Sequence, residues 1–381
     1  MIPHKKSALL ALALIIGLFS GLPALLVFLV DPCHIFHRPF PGIFSHGFSM
    51  NPRCQTAGLI NTYLSDTAQG YDSILTGTSL STNYSESYIK EATKWEKTLK
   101  LSVFGAKPIE QKIFTLRALQ SKNVRHVFWE DVPFQFLRAK DTIADLQKTK
   151  NFPLYLYNKS RIDDYQYVFN SEILSNSIDE LLNIKKENSE KVEKIYYAHN
   201  QCTKAKTCEP LTKKEDLDVI KANYKSTEFL GRTPDEISEI DFSTADKLLL
   251  DALLSYCNTE ISFDLIFPPL SMLFYSAQNQ EDFDYQLYML RYVVVNTSRC
   301  KNVRSFAFNN ELWITGDLAH YQDERHFYGD VHDYIIQSTE SGKHIMTIDN
   351  VADFERQFIE NMNNYTPRAS TAEQIQASNH L

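Results

Sequence analysis

Glycine is scarce in this chain, at 12 of 381 residues. A fold that repeats glycine at short intervals is therefore excluded. A glycine that closes an apolar run instead marks a turn or a close backbone approach. Basic runs are missing as well. With 39 basic and 47 acidic side chains, the net charge is -8, which sets nucleic-acid binding aside. No Cys-x-x-Cys and no His-x-x-x-His pair occurs, so the spacings that hold zinc are absent and the sequence makes no case for a metal or a cofactor. Internal repeats and low-complexity tracts are absent too.

Charge is missing altogether from residues 7–30 (SALLALALIIGLFSGLPALLVFLV). At about 1.5 Å per residue this run is long enough to span a bilayer core of about 30 Å. His4, Lys5 and Lys6 precede it and Asp31 follows. The positive-inside bias then places residues 1–6 in the cytoplasm and the rest outside. The run is longer than a signal-peptide core, and no Ala-x-Ala site closes it. It is read as an uncleaved single-pass anchor in the inner membrane, with the globular part on the periplasmic or extracytoplasmic side.

Cysteine is absent from the first 32 residues; all six lie beyond the anchor. An even number in an exported chain suggests disulfides. Short spacing favours Cys202–Cys208, Cys33–Cys54 with Cys257–Cys300 is then a plausible pairing of the other four, and buried free thiols are the alternative.

Residues 31–70 read as an irregular lead-in, broken by Pro32, Pro39, Pro41 and Pro52. From Tyr71 the pattern alternates. Strands are expected at 72–76, 99–104 and 124–129, with helices over 80–96 and 108–120 between them. Residues 140–256 are polar and helical in pattern, as in Ser177–Val192 and Ser243–Tyr256, and read as a helical insertion. Strands return at 261–267 and 303–308, with helices near 282–293, 329–341 and 351–362. The main domain is thus placed at 71–365 and a frayed tail at 366–381.

Two short motifs carry the chemistry. Leu75-Thr76-Gly77-Thr78-Ser79-Leu80 puts a serine just past a strand end, at the edge where open α/β sheets place ligands. Its neighbours Thr78 and Ser81 are equally good helix caps, so a capping role competes for the same residues. Tyr321-Gln322-Asp323-Glu324-Arg325-His326-Phe327 supplies a carboxylate three residues before a histidine. Ser79, Asp323 and His326 can serve as nucleophile, orienting acid and base. Asp317 and His320 form a competing pair at the same spacing, and His332 is a third histidine nearby. The backbone N–H groups of Ser79 and Gly105 are the candidate oxyanion donors.

Thr76-Gly77-Thr78-Ser79-Leu80, Gly105 and Asp323-x-x-His326 together resemble the three motif blocks of the SGNH (GDSL-type) hydrolase superfamily. The nearest look is to its membrane-anchored subgroup of polysaccharide O-acetylation proteins and the D-alanyl transfer protein of teichoic acid synthesis. The resemblance covers about residues 70–135 and 260–360. It implies a flavodoxin-like three-layer α/β fold with a parallel sheet, carrying here a helical insertion and an N-terminal transmembrane helix. It also implies a serine esterase or O-acyltransferase acting on acyl esters of cell-envelope glycans, with a membrane-bound partner that supplies the acyl group. One block departs from the pattern. The superfamily carries Gly-x-Asn after its third strand, and here Trp129-Glu130-Asp131-Val132-Pro133 has no Asn. A non-catalytic glycan-binding or scaffold subunit is the alternative this departure raises.

Overall fold

The computed structural model describes residues 17, 21–36, 52–65, 70–137, 139, 142–148, 152–182 and 214–370. The chain divides into two compact units, residues 1–69 with 142–196, and residues 70–141 with 197–381. This differs from the expected single insertion over 140–256. Its first part groups with the N-terminal segment, and its second part groups with the sheet.

The sheet unit is α/β. Six strands stand in the order β2-β1-β3-β4-β5-β6. They are β1 (Ser73–Gly77), β2 (Thr98–Ser102), β3 (His126–Glu130), β4 (Ser262–Phe267), β5 (Val303–Ala307) and β6 (Ile345–Met346). The first five pair in parallel, and β6 pairs antiparallel to β5. The chain reverses direction across the sheet between β1 and β3, the position at which doubly wound folds bind ligands. The two-residue β6 is too short to leave a periodic signal in the sequence.

Every residue of β1 is buried. That is why the strand reads as an apolar run without alternation. Leu75, Phe128, Ile266 and Phe306 form one core face with Ile89 of the helix Glu86–Ala92 and with Val331, Ile335 and Ile336 of the helix Gly329–Ser341. Trp129, next to Phe128 and so on the opposite face, donates its indole N–H to Gln111 of the helix Pro108–Ala118 at 3.2 Å. The helices Gln280–Thr297 and Val351–Asn363 meet through stacked Phe283 and Phe358, 5.9 Å apart, and a salt bridge from Arg291 to Glu355. Cys257 and Cys300 are disulfide-bonded in this unit. The expected helix over 80–96 is instead a 3-10 helix, Ser79–Asn83, followed by Glu86–Ala92.

The other unit contains a helix at 21–30, the helix Pro52–Ser65 and the helix Ser171–Leu181. The second corrects the irregular reading of 31–70. Pro52 sits at the first helical position, where its missing N–H costs nothing, so it starts the helix rather than breaking one. The third begins at Ser171, capped by Asn170, six residues before the expected start. Cys33–Cys54 is a disulfide and ties the two N-terminal segments together. Gly58 permits their close approach, since a Cβ there would lie 1.6 Å from the Cys33 carbonyl oxygen.

Cys202 and Cys208 lie outside the described residues. So does the expected anchor 7–30, apart from Gly17 and residues 21–30. Among the described residues no helix is long and apolar enough to cross a membrane.

Candidate active site

Ser79 leaves the sheet directly after β1. Gly77 makes the exit possible, because a Cβ there would meet Ser81 Oγ at 2.6 Å and Glu130 Cβ at 3.2 Å. Thr78 is the cap of the 3-10 helix, its Oγ1 accepting from the Leu80 N–H at 3.2 Å. The capping role therefore falls to Thr78 and leaves the Ser79 hydroxyl for other partners. Ser81 Oγ donates to the Thr78 carbonyl at 2.8 Å, and Thr82 Oγ1 donates to the Ser79 carbonyl at 2.7 Å. Three hydroxyls thus tighten the turn that presents the fourth.

His326 comes from a closed loop. Tyr321 and Phe327 form an isolated antiparallel bridge, and the Gln322 N–H donates to the His326 carbonyl at 2.7 Å. Buried Phe327 anchors the loop in the core. Asp323 Oδ1 accepts the backbone N–H groups of Arg325 at 2.9 Å and His326 at 2.8 Å. This local turn fixes the carboxylate before the imidazole is considered.

The structure brings the three residues together. Ser79 Oγ lies 2.8 Å from His326 Nε2, across 247 residues of chain, and His326 Nδ1 lies 2.5 Å from Asp323 Oδ2. Burial works against charge on Asp323, but hydrogen bonds from the His326 ring and from the backbone of His326 and Arg325 hold it well below the usual carboxylate range. An ionised Asp323 accepts a hydrogen bond from Nδ1–H, so Nε2 presents its lone pair to the serine hydroxyl. The side chains of His326 and Asp323 are 23% and 50% exposed, so solvent and substrate can reach them.

The competing pair is not assembled. Asp317 Oδ1 accepts the N–H groups of Ala319 at 3.0 Å and Ser370 at 2.9 Å, and its Oδ2 accepts from the Ser370 hydroxyl. His320 instead faces Asp330 at 3.9 Å. Asp317 caps a short helix and ties down the segment at 370. Its spacing to His320 matches that of Asp323 to His326, but its carboxylate points elsewhere.

The third histidine has a different position. His332 is buried, with Nε2 2.7 Å from the Leu80 carbonyl and Nδ1 3.0 Å from the Tyr328 carbonyl. Burial pushes this imidazole down to about 4. Nε2 makes the shorter of the two carbonyl contacts. His332 therefore holds the residue after Ser79. Asn83, at the end of the same 3-10 helix, donates from Nδ2 to the Phe327 carbonyl at 3.3 Å. Lys100 is a contact sequence reasoning missed: its Nζ donates to the carbonyls of Thr82 and Tyr84 at the end of the same 3-10 helix. Burial lowers Lys100 to about 8, against the pull of Glu86 and Glu130. Its signal was a lysine between the two buried leucines of β2.

Gly105 has φ +60° in the turn after β2. Because Gly77 pairs with Ser102, the turns after β1 and β2 leave the sheet at the same edge. A first-turn N–H such as that of Ser79 has no acceptor within its helix. At the end of β3, where the resemblance implies an Asn block, stand Glu130, its last residue, and Asp131. Both are buried, and burial pushes each up to about 8. Arg325, exposed, lies over the rings of Phe134 at 5.7 Å and Phe274 at 5.9 Å beside the histidine.

Among the described residues no group of three or more His, Cys, Asp or Glu could hold a metal ion. No family model matches the chain, and no curated protein matches it.

Proposed function

We propose that this protein is an exported, membrane-anchored serine esterase or O-acyltransferase of the SGNH type, acting on acyl esters of cell-surface glycans. The observation that carries the reading is the continuous hydrogen-bonded chain from Ser79 Oγ through His326 to Asp323. The glycan substrate and the membrane-bound acyl-supplying partner follow from the resemblance.

Ser79 Oγ attacks the acyl carbonyl carbon as His326 Nε2 takes the hydroxyl proton. Asp323 stabilises the imidazolium that forms. Backbone N–H groups of Ser79 and Gly105 are the donors for the tetrahedral oxyanion. Collapse expels the alkoxide, which receives the proton from His326, and leaves an acyl-enzyme. Water or a glycan hydroxyl then attacks that ester, with His326 again as base, and frees Ser79. Hydrolysis and transfer differ only in that second nucleophile.

The test uses the full chain in detergent with p-nitrophenyl acetate and a serine-reactive fluorophosphonate. Ser79→Ala is expected to lose the probe adduct and to lower turnover by ~10⁴–10⁶-fold, as removal of a triad nucleophile does. Equal labelling of the wild type and the variant would remove Ser79 from the mechanism.

A second reading, a glycan-binding or scaffold subunit without catalysis, is favoured by one observation. Asn83 donates to the Phe327 carbonyl, and Glu130 and Asp131 stand at the end of β3 where the resemblance implies an Asn, so neither place supplies that amide to the oxyanion. Glycan retention without an acyl-enzyme in mass spectrometry would support it.

A further inference from the structure

Large exposed apolar side chains are concentrated in one unit. Twelve of the eighteen among the described residues belong to the unit made of residues 1–69 and 142–196, which holds fewer than a quarter of the described residues. Scattered exposed apolar residues need no explanation, but a contiguous concentration does.

Six of them lie close together in sequence. Ile162, Tyr165 and Phe169 are 81%, 58% and 61% exposed and fall at helical spacing on one side of the turns that run through 162–168. Ile178, Leu181 and Leu182 repeat that spacing at the end of the helix Ser171–Leu181. The inward side of the first group is Tyr167, fully buried.

Tyr167 locates this surface relative to the uncharged run 7–30. Its hydroxyl accepts the Cys33 N–H at 3.0 Å, and its ring lies 5.8 Å from that of Phe36. Arg161 donates to the Ile35 carbonyl at 3.1 Å. Asp31, buried, accepts the N–H groups of Ile35 and Phe36 at 2.9 and 2.7 Å and closes the chain into a rigid knob. Val27 and Val30 are buried in this unit, whereas Leu22, Leu25 and Leu29 of the same helix are exposed. The apolar run therefore enters the unit with Val27 and Val30 of its last turn packed, and residues 161–169 stand beside the point of entry.

We infer that the surface carrying Ile162, Tyr165 and Phe169 is a membrane-seating face that rests in the interfacial layer of the extracytoplasmic leaflet. This rests on the reading of 7–30 as a membrane-spanning anchor. The occupant follows from continuity: the residues that hold the end of the apolar run occupy its level, which is where such a run leaves the hydrocarbon. A tyrosine and a phenylalanine at that level match the aromatic enrichment of membrane interfaces. Exposed Lys159 on the same stretch suits the phosphates of anionic lipids.

The experiment places a photoreactive residue on the face of the full chain in vesicles of phosphatidylethanolamine and phosphatidylglycerol. Tyr165→p-benzoylphenylalanine and Phe169→p-benzoylphenylalanine are irradiated, and adducts are read by mass spectrometry. Ile348, 60% exposed in the other unit, carries the same residue as control. Lipid adducts several-fold above the control at 165 and 169 are expected. Adducts to protein, or none above the control, overturn the proposal. Alkaline carbonate washing of the same vesicles separates the two readings. A chain that washes off overturns the anchor and the seating face together. A chain that stays, without lipid adducts, overturns the seating face alone.

Discussion

The two units use apolar side chains in different ways. In the sheet unit they are consumed internally: β1 is buried throughout, and Leu75, Phe128, Ile266 and Phe306 meet the helices that cover them. In the unit built from residues 1–69 and 142–196, many stay on the outside, and a disulfide, a buried tyrosine and capped turns hold the backbone. A sheet with covered faces supplies rigidity from packing alone. A small unit with little core depends on covalent and polar ties. Ser79, Asp323 and His326 all lie in the first.

Changes at the candidate site give the largest expected effect, and they separate the units most sharply. Asp323→Asn keeps the shape but offers His326 Nδ1 an amide instead of a carboxylate. Turnover of p-nitrophenyl acetate is expected to fall ~10⁴-fold, with little change in the melting temperature. A fall under tenfold would put another acid in the role.

Disulfide removal is expected to act on one unit at a time. Cys257→Ser with Cys300→Ser should cost the sheet unit about 2–4 kcal/mol in denaturant unfolding. Cys33→Ser with Cys54→Ser should instead raise proteolysis within residues 1–69 and 142–196 and leave ester turnover near wild type. Equal loss of turnover from both pairs would erase the division of labour.

The effect that accrues most gradually concerns pH. Burial holds Asp131 protonated up to about 8, whereas in the unfolded chain it titrates near ~3.9. Between those values the folded state binds a proton that the unfolded state has released. The resulting stability is complete below the unfolded pKa and is lost as pH rises to about 8. Asp131→Asn lacks this dependence. Relative to wild type it should gain up to about 1.4 kcal/mol per pH unit between pH 5 and 7.5, read from urea midpoints. A constant difference would mean that Asp131 is already ionised in the folded protein.

Much of the sheet was legible because parallel strands buried on both sides leave short apolar runs. Those runs predicted five strands to within two residues at each end. The helix Pro52–Ser65 was not legible, since a proline at its start and a glycine inside it look like breakers unless their contacts are known. The site was legible in its residue types and not in its geometry. Asp317-x-x-His320 and Asp323-x-x-His326 are equivalent as text. Only the fold shows that Asp317 binds Ser370 while Asp323 faces a histidine on the serine. The ties from His332, Asn83 and Lys100 to the serine helix and its surroundings join segments distant in sequence, where no local pattern records them.

The distance along the chain between Ser79 and His326 has a consequence for biogenesis. With 247 residues separating them, the pair can meet only after the strands between them have been laid down in order. A growing polypeptide therefore carries Ser79 without His326 beside it. Their hydrogen bond forms late, as a property of completed topology, and is a conformational clock for maturation of the whole sheet.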